Sequence, residues 1–154
     1  MDKFGYLALS LDFINDLEGY KTSFKNFHWS APDLTYHRQI DSFLDKLIEF
    51  QDEIAEQSQG YANTQYGINT IQGTKFEFAD PRQALDALDA RVLSFLQQIN
   101  NDLTLSGVVN AINDFQQTIL QNKYLFRLAD KVCIENPDAG EAKMVDLGNI
   151  TGLM

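Results

Sequence analysis

The stretch "YLALSLDFINDLEGYKTSFKNFHWSAPD" (residues 6–33) decides the fold. Apolar side chains recur three or four apart in it, at Leu7, Leu11, Ile14, Leu17, Tyr20, Phe24 and Phe27. That is the step of a helix laying one face on a core. Pro32 interrupts the pattern, because its ring and missing N–H do not suit a helix interior. Asp33 follows as a natural N-cap for a second helix over about 34–58. Ile40, Phe43, Leu44, Leu47, Ile48, Ile54 and Ala55 form its apolar side.

Working outward, residues 59–79 change character, with Gly60, Gly67 and Gly73 among Asn, Thr and Gln. They read as a long connection holding at most a short helix. Asp80-Pro81 then pairs an N-cap with a proline at the first helical position, which starts a third helix. Its inward row is Leu85, Leu88, Val92, Phe95, Leu96 and Ile99. "NNDLTLSG" (100–107) breaks it, and a fourth helix over about 108–132 carries Ile112, Phe115, Ile119, Leu120, Phe126 and Leu128. The pattern predicts an all-α chain, a four-helix bundle with a long crossover between helices 2 and 3. That is the ferritin-like arrangement, although other all-α packings satisfy the same spacing. One domain is expected over 1–137, followed by an irregular Gly-, Asp- and Ala-rich tail over 138–154.

The 154 residues are 44% hydrophobic and 12% aromatic, a globular composition long enough to bury a core. Formal net charge is −10, which repels nucleic-acid phosphates and suits cations, so no DNA binding is expected. The single cysteine, Cys133, excludes an internal disulfide and reads as a buried inert thiol, compatible with a cytoplasmic location. No segment approaches the roughly 20 apolar residues of a membrane span, and the N-terminus lacks the basic leader of a signal peptide. The sequon at Asn149-Ile150-Thr151 is read as chance.

Both histidines, His28 and His37, flank the Pro32 turn. With His37 at zero, a helix turning about 100° per residue puts Asp41 near 40°, Asp52 near 60° and Glu56 near 100°. His37 and Asp41 share a stripe one turn apart, as do Asp52 and Glu56, so each pair can aim at one ion. Eleven residues part the pairs, roughly 16 Å along the axis, against metal–ligand bonds of about 2.0–2.2 Å. One ion is therefore not held by both pairs of the same helix. Two copies packed antiparallel about a two-fold axis would bring the Asp52/Glu56 end of one to the His37/Asp41 end of the other, making two equal sites. His28 could complete the imidazole side. Mixed His and carboxylate ligation suits Fe(II), Mn(II) or Zn(II) better than Ca(II). The competing reading is a solvated acidic face, since Asp45 and Glu49 lie on nearly the same stripe.

"HW", a short turn, then "H-x3-D-x10-D-x3-E" closing on "DEIAE" resembles the ferroxidase signature of the Dps family, the dodecameric mini-ferritins. His28-Trp29, His37, Asp41, Asp52 and Glu56 occupy its positions in order, over about a fifth of the chain. The resemblance implies a homo-oligomer of twelve subunits built from two-fold dimers. Fe(II) would be oxidised by peroxide or oxygen between subunits and stored as ferric mineral, protecting against oxidative damage. It implies that His28, His37 and Asp41 of one subunit and Asp52 and Glu56 of its mate are the catalytic metal ligands. Trp29 would pack in the core beside the site or serve as a local electron donor. Asp102 and Asp114 are candidates for the acids of an ion pore. The sequence departs from the family in its shorter turn, in Ala31-Pro32-Asp33 replacing a small Gly, and in Gln57 where Arg is usual. These departures favour the alternative, a structural or binding ferritin-like assembly protein whose metal site is degenerate or holds Zn(II) or Mn(II) statically.

Overall fold

A computed structural model of the chain describes residues 1–135. The expectations for the Cys133 side chain, for the tail beyond Pro137 and for the Asn149 sequon fall outside what is described. The described chain is all-α, with four long helices and no strand. They are α1 (Lys3–Trp29), α2 (Leu34–Ala62), α3 (Pro81–Ile99) and α4 (Ser106–Glu135), with a 3-10 turn at Leu103–Leu105 before α4.

The helix ends follow from local chemistry. Asp2 caps α1 by accepting hydrogen bonds from the Phe4 and Gly5 amides. Ser30 closes that helix, its amide and hydroxyl both donating to the Asn26 carbonyl. Asp33 accepts from the Tyr36 amide at 2.8 Å and Asp80 from the Gln83 amide at 2.8 Å, with Pro81 in the first turn, so both expected caps form. α2 runs four residues past the expected end, through Gly60, and stops where Asn63 takes the left-handed conformation at φ 53°. The expected connection therefore loses its first turn, and residues 63–80 contain no helix.

The principal contacts are α1 with α2, α2 with α4, α4 with α3 and α3 with α1, a ring that fits a four-helix bundle. An aromatic row fills it: Phe13 stacks on Phe95 at 4.2 Å, Phe50 on Phe115 at 4.1 Å, and Phe24 lies 4.9 Å from Phe43. Tyr6 and Phe13 are fully buried although the three-and-four count passed over them. Ile48, Leu120 and Leu128, expected inside, are exposed. Each lies directly beside a buried residue, Leu47, Ile119 or Ala129, and so roughly 100° around the helix from it.

Segment 63–80 is laid along α1. Tyr66 Oη meets Ser10 Oγ at 2.8 Å, Asn15 Nδ2 donates to the Thr70 carbonyl, and the Thr74 amide donates to the Asn15 carbonyl at 3.0 Å. Farther on, Phe76 and Phe78 stack on Tyr20. Gly19 permits this contact, because a β-carbon there would lie 2.1 Å from the Thr74 carbonyl oxygen. The chain thus returns to the end where α2 began before it starts α3.

At that end the helices are tied by one polar cluster. Tyr36 at the start of α2 hydrogen-bonds Asp130 near the end of α4, and Arg82 at the start of α3 donates to the other Asp130 oxygen at 2.8 Å. Burial and then the acceptor carboxylate push the Tyr36 phenol well above its ordinary range.

Candidate metal centre

α1 ends and α2 begins on opposite sides of a four-residue link, which brings the two imidazoles together. The ring centroids of His28 and His37 are 3.9 Å apart at an interplanar angle of 31°. His37 Nδ1 lies 3.1 Å from the His28 carbonyl oxygen. A carbonyl only accepts, so Nδ1 carries the proton in this contact and Nε2 is the nitrogen that can face a metal. A backbone acceptor that fixes the tautomer in this way is a common support for metal-ligating imidazoles.

His28 differs. Its Nδ1 is buried and has no hydrogen-bond partner. Asp41 Oδ1 is 3.8 Å away, too long for a hydrogen bond. That separation can be spanned by two bonds of about 2.0–2.2 Å to a common ion. An orphaned buried nitrogen is costly, so the arrangement is better satisfied with something between the two atoms. The shorter turn leaves the histidines adjacent, one turn of α2 from Asp41.

Asp52 and Glu56 are exposed on the same uninterrupted helix. Their separation from His37 and Asp41 follows the helical rise, roughly 16 Å between Asp41 and Asp52. Among the described residues of one chain, no group of three or more His, Cys, Asp or Glu side chains could hold a metal ion. The chain therefore presents two half-sites, an imidazole-rich one at the start of α2 and a carboxylate pair farther along it. Asp45, Glu49 and Glu53 are exposed between them, with Lys46 the cation closest at hand, 3.9 Å from Glu49.

Other expectations resolve differently. Trp29 is 71% exposed and not a core residue, with Lys25 Nζ 6.0 Å from its ring centre. It is the last residue of α1, where the helix has already run past the apolar face set by Phe24 and Phe27. Gln57, standing where the resemblance leads one to expect arginine, donates to Glu53 at 3.3 Å. Asp102 caps the 3-10 turn and receives the N-terminal ammonium at 3.3 Å; hydrogen bonds from Thr104, side chain and backbone, hold its carboxyl below the usual range. Asp114 is exposed on α4 beside Glu49 and Glu53. The Tyr36–Asp130–Arg82 tie was not expected, because partners 94 and 48 residues apart leave no local signal.

Fold and site together define, over the described residues, an all-α protein with four long helices, a histidine pair across the α1–α2 link and a separate carboxylate pair farther along α2. No family, no curated protein and no solved structure matches the chain.

Proposed function

We propose that this chain is a Dps-like ferroxidase and iron store: a ferritin-like bundle, with segment 63–80 as its crossover, assembled from two-fold dimers into a hollow dodecamer. The observation that carries the reading is the half-site at the start of α2. There His37 has its tautomer set by the His28 carbonyl, and His28 Nδ1 is buried, unpartnered and 3.8 Å from Asp41. Fe(II) is the substrate. His28, His37 and Asp41, which do not form a complete three-ligand group within one chain, would bind it from one subunit only together with Asp52 and Glu56, the charge-balancing carboxylates of the mate. Each Fe(II) gives up one electron, and a peroxide takes two as its O–O bond breaks. The acidic faces raise the local concentration of cations and hold the ferric product. The net charge of −10 argues against a DNA partner.

The test is anaerobic loading with Fe(II) followed by peroxide. A ferric absorbance is expected in the wild type and not in His37→Ala or Asp52→Ala. Equal behaviour of all three rejects the proposal. Stoichiometric ion binding without oxidation would instead identify a static site, of the kind Zn(II) or Mn(II) would occupy.

A further inference from the structure

His37 sits in the first turn of α2, where a helix has few backbone bonds of its own, yet its contact with His28 tolerates little drift. The ring centroids are 3.9 Å apart and His37 Nδ1 is 3.1 Å from the His28 carbonyl oxygen, so a shift of roughly 1 Å would break that hydrogen bond. The residue before His37 is held at both ends. The Tyr36 amide donates to Asp33 at 2.8 Å, and its phenol, on a ring 5.6 Å from that of Phe126, donates to Asp130. The second Asp130 oxygen accepts from Arg82 at 2.8 Å, so one carboxylate joins the starts of α2 and α3 to the end of α4. Gln39, two residues past His37, donates to Asn122 and adds a second tie to α4. His28 belongs to α1, which takes no part in these bonds.

We propose that Tyr36, Asp130 and Arg82 are positioning residues for the histidine half-site. None of them is a ligand. Their tie fixes the first turn of α2 against α3 and α4, and so sets where His37 stands relative to His28 on α1. A carboxylate suits the bridge, because it accepts from a phenol and a guanidinium at once, on separate oxygens. The consequence for iron rests on the function proposed above; the placement of His37 does not.

Nitrogen–proton NMR of the iron-free full chain separates the two. In the wild type the His37 ring should carry its proton on Nδ1. Tyr36→Phe and Asp130→Ala should lose that preference with helix content unchanged, and Asp130→Asn, which still offers the phenol an acceptor, should restore much of it. Arg82→Gln, a change at a half-exposed side chain, gives the same reading should either buried change unfold the chain. An unaltered His37 signature in the folded variants overturns the inference. In Fe(II) oxidation by peroxide, KM for Fe(II) should rise about tenfold in Tyr36→Phe and Asp130→Ala, with kcat held within about twofold. A fall in kcat at unchanged KM would overturn the positioning role. An altered His37 signature in a protein that oxidises no iron would keep the tie and reject the ferroxidase reading.

Discussion

Tyr20 is 4% exposed and its ring lies between α1 and the connection, stacked on Phe76 at 4.5 Å and Phe78 at 5.6 Å. Burial, helped by the nearby Asp16 carboxylate, pushes its phenol up to about 12. The folded pKa lies above the ordinary value near 10, so the unfolded chain loses its proton first. Stability from the neutral ring is thus complete below pH ~10 and drains away between about 10 and 12. On the order of 2 kcal/mol should be lost over that window from this group. Phenylalanine keeps the stacking and has no proton to lose. Urea denaturation of Tyr20→Phe should therefore show a loss smaller by about that amount between pH 10 and 12. Parallel curves for the two proteins would show that the connection does not shield this ring. At the same scale, His28 illustrates what a sequence withholds. The motif nominated the residue, but only the coordinates reveal that its Nδ1 is buried and unmatched.

Among the elements, segment 63–80 is the one whose position rests most on a single small residue. Asn15 holds it with its side chain, accepting from the Gln72 and Gly73 amides at 2.8 and 3.0 Å. Glu18 lies just below: burial alone would raise its carboxyl, but hydrogen bonds from Gln51 and Lys21 outweigh that and hold it low. Gly19 completes the seat. A β-carbon there meets both the Thr74 carbonyl at 2.1 Å and the Phe76 ring at 2.9 Å, one of them backbone that has little freedom to move. Gly19→Ala should cost about 1–3 kcal/mol despite the better helix propensity of alanine, by thermal or urea unfolding. A stabilised variant would mean that the connection does not lie on α1. The helices themselves were legible because their signals are local: caps at Asp33 and Asp80, the break at Pro32, the apolar steps. The route of the connection was not, since nothing near Thr74 in sequence announces that it will meet Gly19. Nor could periodicity tell the buried Leu47 from its exposed neighbour Ile48, as both belong to a broad apolar stripe.

For the molecule as a whole, the question is whether the two half-sites on α2 belong to one site. Helical rise keeps Asp52 and Glu56 at least roughly 16 Å from Asp41 and the histidine end of their own chain, so a shared ion requires a second copy. This much was readable from spacing and is preserved by the uninterrupted helix Leu34–Ala62. Exposed Ile48, on the same helix between the half-sites, is an apolar contact available to such a mate. Mixing variants tests the geometry directly. His37→Ala removes the imidazole half of the site and Asp52→Ala the carboxylate half, and each alone should be inactive in Fe(II) oxidation. In a two-fold pair of one His37→Ala chain and one Asp52→Ala chain, one site receives both lesions and the other receives none. Unfolded together and refolded as an equal mixture, half the dimers would be mixed and each would hold one intact site of two. About a quarter of wild-type activity should therefore return. Metal ligands drawn from one chain predict no recovery at all, however well the mixture assembles.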